Sequence, residues 1–244
     1  MGGNHRMARL PLWAGAGALI GMGLAARQRL LRLGATGDEA RRVYPGDELV
    51  PDADGQSTMA TTLPAPPEQV WPWLVQMGCD RAGWYSWDRA DNAGRPSADR
   101  LVPQWQDLAE GDRIASTPDG RSWFTVARLD PLRALVLRAD LEVPSGRPFD
   151  PSGPLPRAFT EAVWSFHLTG VPDGDGVEGD GEGATRLVVR TRYRSRPRLL
   201  MGTLDLGFWE PAHVIMQTAQ FRHLAERVRG TAGADPETGV VTPG

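Results

Sequence analysis

The chain has 244 residues, 41% of them hydrophobic and 7% aromatic, with a formal net charge of -3, which suits one domain with appendages. That balance lacks the basic face of nucleic-acid binders, so nucleic acid is excluded as a partner class. Cys79 is the single cysteine and all 27 basic residues are arginine, which rules out an intrachain disulfide, a thiolate metal cluster and Schiff-base lysine chemistry.

The first element is apolar. Leu10 to Ala26 is a run of 17 residues without a charge, preceded by Arg6 and Arg9 and followed by Arg27, Arg29 and Arg32. As a helix it is about 25 Å long, slightly short of a bilayer core of roughly 30 Å, and it spans if the flanking arginines snorkel. A secretory signal is the rival reading, although the arginines directly after Ala25-Ala26 argue against cleavage there; a soluble amphipathic helix is a third. Residues 1–33 are therefore expected to be a single-pass membrane anchor, with the membrane as a partner through residues 10–26. Arginine is denser after the run than before it, which places the main domain in the cytoplasm.

Residues 34–56 are charged and turn-rich and read as a connector. The main domain is expected over residues 57–230. Its first strand is Ser57–Leu63, followed by a helix over Pro67–Met77 that ends at Gly78 and carries Pro72 in its first turn. Gly83–Leu108 is a tryptophan-bearing stretch of short helix and loop. Strands are expected over 112–116, 122–129, 134–139, 162–169 and 185–193, each bounded by Pro, Gly or Asp turn signals. The proline-rich insertion Val143–Arg157 reads as an irregular loop or lid. Asp173–Gly183 alternates acids with glycines but misses the spacing of a calcium loop, so a solvated hairpin loop is expected.

Along Thr185–Tyr193 the residues Leu187, Val189, Thr191 and Tyr193 fall on one face and Arg186, Arg190 and Arg192 on the other, giving a dry face and a wet one. The row Arg186, Arg190, Arg192, Arg194, Arg196 and Arg198 is read as a solvated strand face, with anionic lipid headgroups as the alternative. A long helix over Leu204–Arg229 has apolar lines at Phe208, Ala212, Ile215 and Ala219 and at Val214, Phe221, Leu224 and Val228. Residues 231–244 lack an apolar period and read as a disordered tail.

Several words in this order resemble a known family. They are Ala65-Pro66-Pro67-Glu68-Gln69-Val70-Trp71-Pro72-Trp73-Leu74, Gly83-Trp84-Tyr85-Ser86-Trp87-Asp88, Arg100 to Leu108 with Gly111-Asp112, and Glu210-Pro211-Ala212-His213. Together they resemble the SRPBCC superfamily of START-like, polyketide cyclase/dehydrase-like helix-grip proteins, over roughly Arg42 to Arg229. The resemblance implies an α+β, helix-grip (START-like) fold: a curved antiparallel sheet wrapped around a long C-terminal helix, with a cavity for hydrophobic ligands between them. It does not imply one reaction.

Within that fold, Trp84, Tyr85, Trp87, Asp88 and Trp105 lie in the segment that passes the cavity mouth and are expected to bind ligand, or else to plug a small core. Trp164 and Phe166, on one strand face, are cavity floor or ordinary core. Glu210 and His213 share a helical face, so His213 is the candidate acid or base with Glu210 orienting it. The alternative is a helix-start pair in which Glu210 stabilises the N-terminal end. His167 falls on the opposite sheet face and reads as solvent-facing. No spacing holds a metal and no motif calls for a cofactor. The leading expectation is a tethered module binding an apolar small molecule or lipid. The alternatives are a cyclase/dehydratase-like enzyme using His213, and a protein-interaction domain of the chaperone-cofactor kind.

Overall fold

A computed structural model describes residues 22–172 and 183–232, with backbone only at 199, 200, 204, 205, 231 and 232. Residues 22–30 are helical (α1), followed by α2 (Gly37–Arg41), β1 (Gly55–Leu63), α3 (Pro67–Val75) and α4 (Asp88–Asp91). Then come β2 (Arg113–Ala115), β3 (Trp123–Asp130), β4 (Ala134–Glu142), β5 (Phe159–Val171) and β6 (Ala184–Arg196). The chain closes with α5 (Arg198–Leu204), a π-helical turn (Asp205–Trp209) and α6 (Glu210–Ala232).

The six strands form one antiparallel curved sheet in the order β1-β6-β5-β4-β3-β2. All six expected strands are present, and the architecture is compatible with a helix grip. Register aligns the inner face: Met59 lies opposite Val189, Val189 opposite Phe166, and Phe166 opposite Leu135. That row crosses four strands and is no more than 1% exposed at any point, each large apolar side chain contributing about 1.5–3 kcal/mol on burial. The α3 helix closes this end with Val70, Trp73 and Leu74, all fully buried. Pro67 occupies its first position, where a missing N–H costs nothing. Pro72, expected in the first turn, instead lies inside the helix, where it leaves the Glu68 carbonyl without its helical N–H donor.

The α6 helix buries Phe221, Leu224 and Val228, spaced three and four apart, against the inner face. Only one of its two expected apolar lines is covered. Ile215 is 57% exposed and Phe208 59% exposed. Ile215 lies on the side of the helix opposite the buried line, and the π-helical turn at Asp205–Trp209 precedes it with Phe208 uncovered.

The outer face differs most from expectation. Of residues 34–56, read as a connector, 34–54 carry α2 and lie along that face, and Gly55 and Gln56 open β1. Thr36 caps α2 reciprocally with Glu39, and Glu39 also receives Arg186 at 2.8 Å. That guanidinium holds the Glu39 carboxyl down to about 2. Val50 packs with Val136 and Val163. A Cβ at Gly46 would stand 2.7 Å from Val136, and its φ of +100° is open to glycine.

The arginine row is therefore paired rather than bare, and its first members are covered, whereas Arg198 is paired but exposed. Arg190 is 2% exposed, beside Asp47 and over the Tyr44 ring. Arg192 donates to the Val50 carbonyl, Arg194 meets Glu161, and Arg196 and Arg198 meet Asp54. His167, expected to face solvent, is 7% exposed and lies against the Tyr44 ring at 4.6 Å. The reason is common to both: the segment 34–54 lays Glu39, Asp47, Asp54 and the Tyr44 ring on this face, and Glu161 of β5 adds the partner of Arg194. The same N-terminal region closes one sheet edge, because Thr58 and Ala60 of β1 donate their N–H groups to the carbonyls of Leu31 and Leu33.

Among the described residues no helix is long and apolar enough to cross a membrane. Residues 10–21 of the expected anchor, most of the Asp173–Gly183 loop and the tail beyond 232 lie outside the described residues.

Candidate ligand site beneath the long helix

The inner face is sealed at one end and open at the other. Beyond the row containing Phe166, the inner-face residues Trp164, Ala162, Thr191 and Tyr193 keep partial exposure. Strand alternation requires this grouping: Trp164 pairs with Thr191 and Ala162 with Tyr193, two and four residues along the strands from the sealed row.

Four rings form the back wall. Trp84 lies 5.3 Å from Trp164 and 5.6 Å from Phe124, and Trp164 lies 5.8 Å from Phe124 and 4.8 Å from Phe166. Trp84 and Phe166 are buried, whereas Trp164 and Phe124 are half-buried. The tilted and edge-on arrangements are those aromatic quadrupoles favour. Amides from α6 fix the wall. Gln217 accepts from the Trp164 indole at 3.3 Å and donates to Gln220, which donates to the Trp84 carbonyl at 2.8 Å. Both glutamines are buried, so their hydrogen bonds satisfy groups that would otherwise be costly beneath the helix.

A polar wall faces the rings. His213 is half-buried on the inner side of α6, with Nε2 2.9 Å from Ser57 Oγ and 3.5 Å from Thr191 Oγ1. Burial pushes its pKa down to about 4 against the opposing pull of Glu210, so the imidazole is neutral at pH 7. The Glu210 carboxylate turns away from that imidazole. It accepts two bonds from Arg27, at 2.5 and 2.6 Å, and one from the Tyr193 hydroxyl at 3.0 Å. Glycine at position 55 makes room for Tyr193, since a Cβ there would lie 2.3 Å from its ring.

Of the residues expected from sequence, the fold brings Trp84, Trp164 and Phe166 together on one wall and His213 and Glu210 on the other. It does not bring in the rest. Trp87 is 56% exposed at the start of α4. Asp88 serves the loop, accepting from the Ser97 N–H and hydroxyl. Tyr85 is 1% exposed, its hydroxyl receiving Gln76 and its ring lying under Arg227; burial pushes its pKa up. Trp105 packs half-buried against the core, and its carbonyl accepts from Arg81. The segment expected to line a mouth is largely a plug.

Phe124, Gln217, Ser57, Thr191, Tyr193 and Arg27 are the site residues that sequence reasoning did not single out. Alternation along β6 put Thr191 and Tyr193 on the dry face; two hydroxyls on an otherwise apolar face are a signal of a site. Away from it, an open depression of about 550 Å³ on the outer face includes Arg113, Trp123, Arg138 and Asp140, where Arg138 is held by Asp140 and Glu161.

No family model and no curated protein matches the chain. Among solved structures, the chain is similar to a protein from Arthrobacter aurescens, at 14% identity over 83% of this chain and 99% of that one, with a TM-score of 0.37. It is also similar to CalU16 from Micromonospora echinospora, at 18% identity over 72% and 85% of the two chains, with a TM-score of 0.30. A further similar structure is DynU16, a protein in the dynemicin biosynthetic locus, at 17% identity over 70% and 47%, with a TM-score of 0.34.

Proposed function

We propose that this chain binds an apolar small molecule or lipid between the open end of its inner sheet face and α6. The observation that carries the reading is the half-buried state of Trp164, Phe124, Ala162, Thr191 and Tyr193 on a face whose other end is sealed. Apolar rings with a few fixed polar groups opposite them are the composition of a small-molecule site. The rings supply contact area, and Ser57, Thr191 and His213 supply orientation for one polar end of the ligand. In this reading residues 10–26 tether the module to a membrane, with the main domain on the cytoplasmic side.

An environment-sensitive fluorophore, 1-anilinonaphthalene-8-sulfonate, tests the site. It is expected to brighten with the folded chain, and Ala162→Trp, which fills the floor between the two walls, is expected to reduce that brightening at least fivefold. Brightening unchanged by Ala162→Trp, with the fold intact by circular dichroism, contradicts the proposal.

The neutral imidazole of His213, hydrogen-bonded to Ser57 and beside Thr191, favours a second reading as a cyclase/dehydratase-like enzyme. A neutral imidazole is the form that accepts a proton. Glu210 has no part in orienting it there, being committed to Arg27 and Tyr193. The protein-interaction reading draws on the exposed apolar side chains at the π-helical turn.

A further inference from the structure

The α1 helix leaves the body beside the ligand site with its apolar side chains uncovered. Met22 is 61% exposed and Leu24 56%, and Ala25 and Ala26 are exposed as well. Residues 22–26 of this helix are apolar on every side, a pattern that calls for apolar surroundings. Arg27, directly after this stretch, is clamped to Glu210 by two short hydrogen bonds, which fixes α1 against the start of α6.

One residue before Glu210 begins a second uncovered surface. Trp209 is 56% exposed, Phe208 59%, Leu206 56% and Ile215 57%, and the Phe208 and Trp209 rings meet edge to face at 5.5 Å. Single exposed apolar residues are ordinary, but four within ten positions, two of them with rings in contact, at a break in a helix suit an interaction surface.

We infer that this surface, Leu206, Phe208, Trp209 and Ile215, docks on a lipid bilayer alongside the emerging α1 helix. The inference rests on the tether reading above and adds a second, independent contact that orients the domain. Three observations favour a bilayer as the occupant. The chain outside the described structure joins at Met22, and the sequence there continues an uncharged run over residues 10–26. Tryptophan beside leucine and phenylalanine is the composition that settles at the lipid headgroup boundary. Arg29 and Arg32, exposed on the same short segment, suit anionic headgroups.

The geometry gives the contact a consequence for the ligand. Tyr193, on the open inner face, hydrogen-bonds Glu210, so the open end of the site lies next to the docking surface. A compound dissolved in the bilayer reaches the site without crossing water, and the ligand class is an apolar molecule that partitions into membranes.

The test reconstitutes the full chain in phosphatidylcholine/phosphatidylglycerol vesicles, with and without brominated acyl chains that quench nearby indoles. The emission of Trp209 is read as wild type minus Trp209→Phe, and that of Trp123 as wild type minus Trp123→Phe. The inference predicts at least twofold quenching of the Trp209 share and an unchanged Trp123 share. Vesicle-bound chain with unquenched Trp209 overturns the docking surface and leaves the tether standing, as does Trp209 emission that changes only when a second copy or a protein partner binds. Failure of the chain to stay with vesicles overturns tether and docking surface together, without touching ligand binding in detergent. Phe208→Glu with Leu206→Glu gives a control, expected to abolish the Trp209 quenching while the chain remains vesicle-bound.

Discussion

His213 and His167 hold the same chemical position on opposite sides of the sheet. Burial pushes both down to about 4, with Arg190 adding to the effect at His167. A histidine kept neutral by the fold binds its proton more readily when the chain is unfolded, so the unfolded state gains protons first as pH falls. Stability is thus fully present above about 6.5 and is lost as pH falls toward about 4, by up to roughly 3 kcal/mol for each residue. Urea unfolding between pH 7 and 4 is expected to show this slope, and His213→Gln with His167→Asn to flatten it. An unchanged slope in the double variant contradicts the burial argument. His213 was singled out from its helical partner Glu210, but its working partners are Ser57 and Thr191, which come from β1 and β6. Their sequence separations carry no local signal.

At the scale of elements, the strands were readable because each side chain's environment repeats every two residues and turn signals bound each run. The observed strands begin or end within three residues of the expected ones, mostly by extending further. The segment 34–54 was not readable for a physical reason: its stabilisation is almost entirely tertiary. Tyr44, Asp47 and Val50 follow no period, and each finds its partner more than eighty residues away, in Arg190, Val136 or Val163. This also explains the misreading of the arginines, since a strand face looks wet until the acids that cover it are known. Removing the cover exposes Val136, Val163 and the buried guanidinium of Arg190. A chain beginning at Ser57 is expected to aggregate or melt at least 10 °C lower than one beginning at Arg27, a loss of several kcal/mol. Equal melting temperatures for the two chains would show that residues 34–54 are a passive connector.

For the whole molecule, the order of elements made the α+β, sheet-and-helix architecture readable, and alternation identified the inner face. The division of that face was hidden. Whether Trp84, Tyr85, Trp87 and Trp105 form a mouth or a plug depends on how the loop between α3 and β2 folds back, and Tyr85 adopts a positive φ of 55° within it, a backbone conformation no periodicity announces. The result is a molecule closed at its α3 end and open beside the α1 and α6 junction, where rings, hydroxyls and a neutral imidazole meet. The central claim is that this open end holds an apolar ligand. Native mass spectrometry of the full chain, released gently from detergent, tests it most directly. The account predicts a bound small molecule that is lost from Ala162→Trp and returns when the wild type is incubated with a membrane lipid extract; a chain at its bare sequence mass throughout, unable to retain any compound from that extract, would contradict it.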